Sequence, residues 1–106
     1  MVTTLIFYCY TSLMNILLIS SYSIYILRCS DDTYYTGITT ELKRRIKEHN
    51  TSAKGAKYTR SRRPVVLIYH EDCGDKPSAL KREKAIKKLT RDQKTALIHS
   101  NPQFCV

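Results

Sequence analysis

A single acidic side chain lies within a strongly basic stretch of the chain. Residues 76–91 contain seven lysines and arginines but only one acid, Glu83. Ala79, Glu83 and Ile86 are spaced as neighbours on one side of a helix, which predicts that the carboxylate lies on the apolar face of that helix. A carboxylate in such a position is suited to holding a cation.

Burial of an unpaired carboxylate is costly, so Glu83 should have a positive partner. One candidate partner is an arginine, Arg45 or Arg82, in a structural ion pair. The other is a divalent metal, because Mg²⁺ is commonly bound through one carboxylate together with waters and substrate phosphate. The spacing of the residues leaves both interpretations open.

Two adjacent arginines on an earlier predicted helix differ in where they point. At about 100° per residue, Leu42, Ile46 and His49 share the face that must meet the sheet. Arg45 borders that face and is one turn from His49, whereas Arg44 points into water. Arg45 and His49 are therefore candidates for a site beside the sheet. The alternative is that both arginines form a solvated basic face and that His49 is a satisfied core residue.

The chain contains eight tyrosines and no tryptophan, and Tyr25, Tyr34 and Tyr35 are among those in or beside a predicted hairpin. Cross-strand partners lie on the same face of a sheet, so Tyr25 and Tyr35 share a face only if the connecting loop has an odd number of residues, such as 31–33 or 30–34. A tyrosine in a strand is otherwise most often a packing residue.

The elements that would position these side chains follow the order β-β-α-β-α-α. Strands are predicted at residues 22–29, 34–38 and 65–70, the last broken at residues 73–75. Helices are predicted from a cap at Thr39 or Thr40 to Asn50, from Pro77 to Leu89, and from a capping box at residues 90–93 to His99. This order predicts an α+β domain, with a small three-stranded, mainly antiparallel sheet flanked by about three helices.

Charge is concentrated in the same part of the chain. The formal net charge is +9, and every charged residue lies at or after Arg28. Such a density favours a polyanionic partner: nucleic acid, an acidic protein or an anionic membrane. The predicted loop at residues 51–64 has five basic residues and no acid, and these are candidate contacts to a DNA backbone: Lys54, Lys57, Arg60, Arg62 and Arg63.

Residues 1–21 carry no charged side chain and are treated as an extension, followed by a domain at residues 22–98 and a tail at residues 99–106. The extension is interpreted as a packing segment, with a membrane anchor as the alternative. The four cysteines have no CxxC spacing and no histidine cluster, so we expect free thiols, no zinc site, and an intracellular protein of the cytoplasm or nucleus.

Ser23-Ile24-Tyr25, ten residues before Tyr35-Thr36-Gly37, resembles the paired motifs of GIY-YIG endonucleases. The continuation through residues 38–49 is similar to the small stand-alone branch of that family, whose core is similar to the amino-terminal nuclease domain of bacterial excision-repair enzymes. The resemblance covers about residues 22–98. Ser23 and Thr36 replace the motif glycine and isoleucine.

The resemblance implies roles for individual residues. Tyr25 and Tyr35 match the motif tyrosines, one of which would activate the attacking water, and Arg45 matches the arginine that holds the scissile phosphate. His49 matches a position that assists the general base, and Glu83 matches the metal-binding glutamate. Many members carry an asparagine about a dozen residues after that glutamate, where this chain has only Gln93 and Thr95.

The expected function is therefore a DNA endonuclease that uses one Mg²⁺ or Mn²⁺ ion. It would be structure-specific rather than sequence-specific, acting on branched or flapped DNA in repair or recombination. Two other classes stay open: a non-catalytic nucleic-acid-binding module on the same scaffold, and a variant tethered to a membrane through residues 1–21. The sequence does not decide whether a tyrosine or His49 takes the proton from water.

Overall fold

The computed structural model describes residues 21–100, so the expectations for residues 1–20 and 101–106 lie outside the described part of the chain. Three antiparallel strands form one sheet in the order β2-β1-β3. The strands are β1 at Tyr22–Arg28, β2 at Tyr34–Thr39 and β3 at Val66–Gly74. The predicted α+β class is confirmed, and within residues 21–100 β2 and β3 are the two edges of this sheet.

The described part of the chain has four helices around the sheet: α1 at Leu42–Thr51, α2 at Lys57–Arg60, α3 at Lys76–Lys87 and α4 at Arg91–His99. The capping box predicted before α4 is present: the Thr90 hydroxyl accepts from Gln93 N, and the Gln93 side chain accepts from Thr90 N. The short α2 lies within the segment that the sequence predicts to be a loop. In residues 21–100, no helix is both long enough and apolar enough to cross a bilayer.

Two predicted boundaries are wrong. Strand β3 continues to Gly74, because Tyr22 pairs with Gly74 and Ser23 pairs with Asp72. The pairing with β1 has two irregularities in register, but the strand ends only before Asp75. Asp75 then caps α3 by accepting from Ser78 N at 3.0 Å.

Helix α1 begins at Leu42, and its cap residue is Glu41, which makes no side-chain capping bond. Neither Thr39 nor Thr40 is the cap. The Thr39 hydroxyl instead accepts from Glu41 N at 3.1 Å, within the turn that precedes the helix.

The strand register places the two motif tyrosines on the same face. Arg28 pairs with Tyr34, so residues 29–33 form a five-residue connection. That number is odd, as a shared face requires, although neither of the loops considered from the sequence has these bounds. Tyr25 pairs with Gly37 and Leu27 with Tyr35, so Tyr25 and Tyr35 are separated diagonally on one face.

Alternate residues of β1 supply two separate cores. On one face Ile24 and Ile26 pack with Tyr69 and with Ile86 from α3, and residues of α4 complete this apolar cluster. On the other face Tyr25 and Leu27 pack with Val65, and with Leu42 and Ile46 from α1. The fold therefore places α1 on one side of the sheet and α3 with α4 on the other.

Candidate active site

The side chain of Tyr25 packs on the neighbouring strand β2 at Gly37, where the absence of a side chain leaves room for its ring. A Cβ atom at residue 37 would lie 2.6 Å from Tyr25 Oη and 2.7 Å from Tyr25 Cζ. Any larger residue would therefore displace the phenol ring. The ring of Tyr25 lies against β2, and the side chain is buried, with 1% of its surface exposed.

A buried hydrogen-bond network holds the Tyr25 hydroxyl. Tyr25 Oη lies 2.7 Å from His49 Nε2, and His49 Nδ1 lies 2.9 Å from Thr59 Oγ1. The backbone N–H of Ala56 donates to the same Nδ1 atom at 3.3 Å. The Thr59 hydroxyl also donates to the Ala56 carbonyl at 2.9 Å, so both ring nitrogens of His49 are held by protein groups.

Burial lowers the pKa of His49 to about 4, and the nearby Arg45 charge contributes to the decrease. His49 is completely inaccessible to solvent, so this imidazole is neutral at physiological pH. Burial also raises the pKa of Tyr25 to about 12, against the opposing effect of the adjacent Arg45 guanidinium. Tyr25 is consequently protonated at neutral pH in the protein without bound ligands.

The structure separates Arg45 from Arg44 as the helix geometry predicts. Arg44 is exposed, whereas the side chain of Arg45 is 25% exposed. Arg45 Nη1 donates to Glu48 Oε1 at 3.0 Å and to the Lys54 carbonyl at 2.8 Å. A guanidinium has five N–H donors, so the rest of this group can still bind an oxyanion beside Tyr25.

Glu83 approaches the phenols from the opposite side of the sheet. Its helix, α3, packs on the apolar face, yet its negative charge adds to the raised pKa values of Tyr25 and Tyr35, for which burial is the main cause. The carboxylate therefore lies within electrostatic range of both phenols. Four of the predicted site residues lie together, Tyr25, Tyr35, Arg45 and His49, and Glu83 acts on the two phenols through its charge.

The positive partner of Glu83 is neither of the two arginines considered from the sequence. Lys87 Nζ lies 3.5 Å from Glu83 Oε2, one helical turn away, while Arg82 pairs with Glu71 at 2.8 Å. The Glu83 side chain is 19% exposed and that of Lys87 is 53% exposed. An ion pair with a solvated lysine is weak, so a stronger cation can replace it.

The donor atoms near Glu83 fit a magnesium-type ion better than a closed metal cage. Among residues 21–100, no three His, Cys, Asp or Glu side chains gather closely enough to hold a metal. One partly exposed carboxylate suits a hard cation that keeps most of its waters and takes oxygen ligands from substrate phosphate. It does not suit a metal that requires several nitrogen or sulfur ligands.

Tyr35 belongs to an aromatic cluster beside the network. Its ring centroid is 6.3 Å from that of Tyr25, 5.2 Å from that of His49 and 6.0 Å from that of Tyr58, with which it stacks. The Arg62 guanidinium carbon lies 3.9 Å from the centroid of the Tyr58 ring. Tyr58 is therefore a packing residue of the site wall.

Of the five basic residues proposed as phosphate contacts, three are exposed and two are hydrogen-bonded to protein acceptors. Lys54, Lys57 and Arg60 are exposed. Arg62 Nε donates to Asp31 at 2.9 Å, and Arg62 Nη1 donates to the Tyr58 carbonyl at 2.8 Å.

Arg63 has a structural role in this fold. Its guanidinium donates to the carbonyls of His49 at 2.6 Å and Ser52 at 2.5 Å, which satisfies acceptors at the C-terminal end of α1. The expectation that Arg63 is free to contact DNA conflicts with these bonds.

Gln93 and Thr95, the polar residues in the region of the family asparagine, also have structural partners. Gln93 completes the cap of α4, and the Thr95 hydroxyl lies 3.1 Å from Tyr34 Oη. Neither side chain is placed among the five site residues.

Sequence reasoning assigned no role to three residues on which the site depends: Gly37, Thr59 and Lys87. Gly37 pairs directly with Tyr25 in the hairpin, so the spacing of the two motifs could have predicted its contact with the Tyr25 ring. Lys87 follows Glu83 at i+4, which is also a readable pairing. Thr59 lies in a segment without periodicity, and only the tertiary structure brings it to His49.

Comparison with known proteins was consistent with this site. The sequence model of the GIY-YIG catalytic domain matches residues 21–96. The chain is 58% identical over 78 residues to the UPF0213 protein DP2720 of Desulfotalea psychrophila, covering 74% of this chain and 71% of that protein. It is 53% identical over 74 residues to the UPF0213 protein VNG_2274C of Halobacterium salinarum, covering 70% and 95% of the two chains.

Two solution NMR structures have similar folds. The protein EF2693 from E. faecalis is 46% identical with a TM-score of 0.54, and the match covers 76% of this chain and 84% of that one. The UPF0213 protein BH0048 from Bacillus halodurans is 42% identical with a TM-score of 0.51, covering 76% and 85%. The names of these relatives specify no substrate or reaction.

Proposed function

This chain belongs to the GIY-YIG catalytic domain family, and from that premise we propose that it is a metal-dependent endonuclease that hydrolyses phosphodiester bonds in DNA. The observation that carries the proposal is the cluster of two phenols, a guanidinium and a neutral imidazole beside β2, with the Glu83 carboxylate within electrostatic range of both phenols. Its preference would be for DNA structure rather than base sequence, in repair or recombination.

Arg45 would hold the scissile phosphate. Its guanidinium is fixed through Nη1 to Glu48 and to the Lys54 carbonyl, which limits the rotamers open to it before substrate arrives. A guanidinium can bind two phosphate oxygens at once, whereas a lysine ammonium acts as a point charge. The partial exposure of Arg45 lets it contact substrate while its stem stays packed.

Tyr25 would orient the attacking water, and His49 would be its hydrogen-bond partner in moving the proton. His49 Nε2 lies 2.7 Å from Tyr25 Oη, and His49 Nδ1 is held by Ala56 N–H and the Thr59 hydroxyl. Both ring nitrogens of His49 therefore have protein partners, so the imidazole would act on the water only through the Tyr25 hydroxyl. This favours Tyr25 over His49 as the group that contacts the water.

Glu83 would hold a Mg²⁺ or Mn²⁺ ion, releasing Lys87 from its ion pair. Such an ion supplies positive charge that stabilises the developing charge on the phosphate oxygens and lowers the pKa values of the two phenols. Without it, Glu83 has the opposite effect on both phenols, since its negative charge raises their pKa values. Glu83 thus couples metal binding to the ionisation of Tyr25 and Tyr35.

The exposed basic residues of the segment before β3 would bind the DNA backbone. Lys54, Lys57 and Arg60 are available for this, whereas Arg62 and Arg63 are held by protein acceptors. With three phosphate contacts to a duplex, the logarithm of the DNA association constant should fall with the logarithm of the salt concentration at a slope of about −3. The five contacts considered from sequence would give a slope of about −4 to −5.

The experiment that tests the proposed function is cleavage of branched, flapped and plain duplex DNA with and without Mg²⁺ or Mn²⁺. Wild type is compared with Glu83→Gln and, as a matched control, Glu41→Gln, which removes an exposed carboxylate. We expect metal-dependent cutting that falls by about 100-fold or more in Glu83→Gln and stays near wild type in Glu41→Gln. Equal rates in the two variants would refute the role of Glu83.

If wild type binds DNA but cuts none of these substrates with either metal, the nuclease proposal fails. The alternative of a non-catalytic nucleic-acid-binding module on the same scaffold would then describe the protein. Metal titration separates the two as well, because a module of that kind should show no metal effect that depends on Glu83.

A further inference from the structure

A groove of about 200 Å³ runs beside the site at the open edge of β2. We call it the edge groove. It begins at Tyr35, which belongs to the site, and extends toward the start of α4. The residues that line the edge groove are Tyr34, Tyr35, Thr36, Tyr58, Lys87 and Lys94.

The edge groove has cations on several sides. Lys87 and Lys94 line it directly, and two arginines lie over the rings of its tyrosine walls. The Arg62 guanidinium carbon is 3.9 Å from the Tyr58 centroid and that of Arg91 is 4.3 Å from the Tyr34 centroid. This charge suits an anionic ligand.

The hairpin loop holds both arginines in place. Asp31 accepts from Arg62 Nε at 2.9 Å, and Asp32 lies 3.4 Å from Arg91 Nη2. Two consecutive acids in one short loop therefore pair with two arginines beside the groove.

The same contacts make the tyrosine rings poor platforms for a nucleobase. Guanidinium groups cover the rings of Tyr34 and Tyr58, and the Tyr58 ring also stacks with that of Tyr35. A volume of about 200 Å³ is also below the usual size of a pocket for a drug-sized ligand. Small size, positive charge and covered ring faces together favour a sugar-phosphate unit over a base.

The groove wall includes a polar group that the protein leaves unused. Thr36 is buried, and its hydroxyl has no hydrogen-bond partner among residues 21–100. Unsatisfied buried hydroxyls are uncommon in proteins, and one in a groove wall is available to a bound ligand.

We propose that the edge groove binds one sugar-phosphate unit of the substrate strand, next to the phosphodiester that is cut, and recognises it by charge rather than by base. This inference rests on the proposed function, because the groove shares Tyr35 with the site and Lys87 with the partner of Glu83. Lys94 would contact the phosphate of that unit. The groove would thereby set the position of the strand relative to Arg45.

The test compares Lys94→Gln with Lys47→Gln. Both variants lose one positive charge, but Lys47 is an exposed residue of α1 that does not line the groove. Lys87 is left unchanged because of its pairing with Glu83. Binding of the full chain is measured without metal to two single strands of equal length, a thymidylate dodecamer and an abasic dodecamer with the same phosphates.

We expect Lys94→Gln to weaken binding of both strands by about tenfold. It should also reduce the salt slope by about 0.7, the value for one lost phosphate contact on a single strand. Lys47→Gln should leave the affinity within about twofold and the slope unchanged. Equal behaviour of the two variants would overturn the proposal, and so would binding of thymidylate without binding of the abasic strand.

The outcome is separable from that of the cleavage experiment. A protein with Lys94-dependent binding that cuts no DNA supports the edge groove and refutes the nuclease. A protein that cuts DNA while Lys94→Gln and Lys47→Gln behave alike supports the nuclease and refutes the edge groove.

Discussion

The two faces of the sheet are built from alternate residues of the same strand, yet they differ in chemistry. Ile24 and Ile26 of β1 enter a cluster whose buried members are Ile86 and Tyr69. Tyr25, between them in sequence, enters a face where a fully buried histidine and a buried threonine complete a hydrogen-bond network. One face is closed by apolar packing, and the other holds polar groups in fixed positions.

This difference indicates how so small a domain can carry a site. Apolar burial on the α3 and α4 face stabilises the fold without imposing a precise arrangement of polar atoms. The α1 face buries hydroxyl, imidazole and phenol groups, which must be hydrogen-bonded or else destabilise the protein. We therefore expect substitutions on the α3 and α4 face to change stability. Substitutions on the α1 face should change activity, the pH dependence of stability and the specificity of packing.

The largest effect on stability is expected at Ile86. Ile86→Ala should lower the free energy of unfolding by about 2–5 kcal/mol, because the side chain is 1% exposed and its loss leaves a cavity. Leu80→Ala, on the same helix but 44% exposed, is the control and should cost under about 1 kcal/mol. Denaturant unfolding measures both. Equal losses would mean that α3 does not supply the apolar core.

A comparable loss of stability is expected at low pH, through His49 on the α1 face. His49 has a pKa of about 4 in the folded protein against 6.5 as the ordinary value, so the unfolded state binds its proton first. Stability should be fully present above pH 6.5 and fall by about 3 kcal/mol as the pH decreases from 6.5 to 4.

The variant His49→Gln should lack the decrease between pH 6.5 and 5, where carboxylates contribute little. His99→Gln, which changes an exposed histidine of α4, should retain it. Thermal unfolding at several pH values checks both variants. A wild-type curve that is flat over this interval would contradict the buried neutral imidazole.

A smaller effect is expected at Gly37, where the faces meet the edge strand. Gly37→Ala should destabilise the protein by about 1–3 kcal/mol and reduce cleavage, because its Cβ would lie 2.6 Å from Tyr25 Oη. In a Tyr25→Leu background the same change should cost much less. A double-mutant cycle measures the coupling, and additive losses would show that the Tyr25 ring does not lie against Gly37.

Changes in stability of opposite sign are expected at two buried threonines, and the change at Thr36 is the smallest predicted here. Thr36→Val should raise the free energy of unfolding by up to about 1 kcal/mol, because it removes a hydroxyl without a partner among the described residues. Thr59→Val should lower it by about 1–3 kcal/mol, since the Thr59 hydroxyl bonds His49 Nδ1 and the Ala56 carbonyl. Denaturant unfolding of the pair tests this, and a change of the same sign in both would contradict it.

Local patterns in the sequence predicted the parts of the fold that local chemistry determines. The β-branched and aromatic residues of β1, the capping box of α4 and the angular separation of Arg44 from Arg45 each depend on neighbours in the chain. The odd length required of the hairpin loop was also deducible, because strand pairing has a period of two.

Partners distant in sequence were not predictable by the same means. Glu83 pairs with Lys87 rather than with Arg45 or Arg82, since Glu71 on β3 already holds Arg82. Arg63 looked like part of a solvated basic loop, but tertiary folding brings it to the carbonyls at the end of α1. Charge alone does not show which basic residues have protein acceptors within reach.

Cleavage by Arg45→Ala and Arg44→Ala in single-turnover reactions with Mg²⁺ tests the central claim most directly. The two arginines are adjacent and chemically identical, but only Arg45 lies beside Tyr25. We predict that Arg45→Ala cuts about 100-fold or more slowly than wild type, while Arg44→Ala stays within about threefold. Equal rates for the two variants would contradict a phosphodiester-cleaving centre at the open edge of β2.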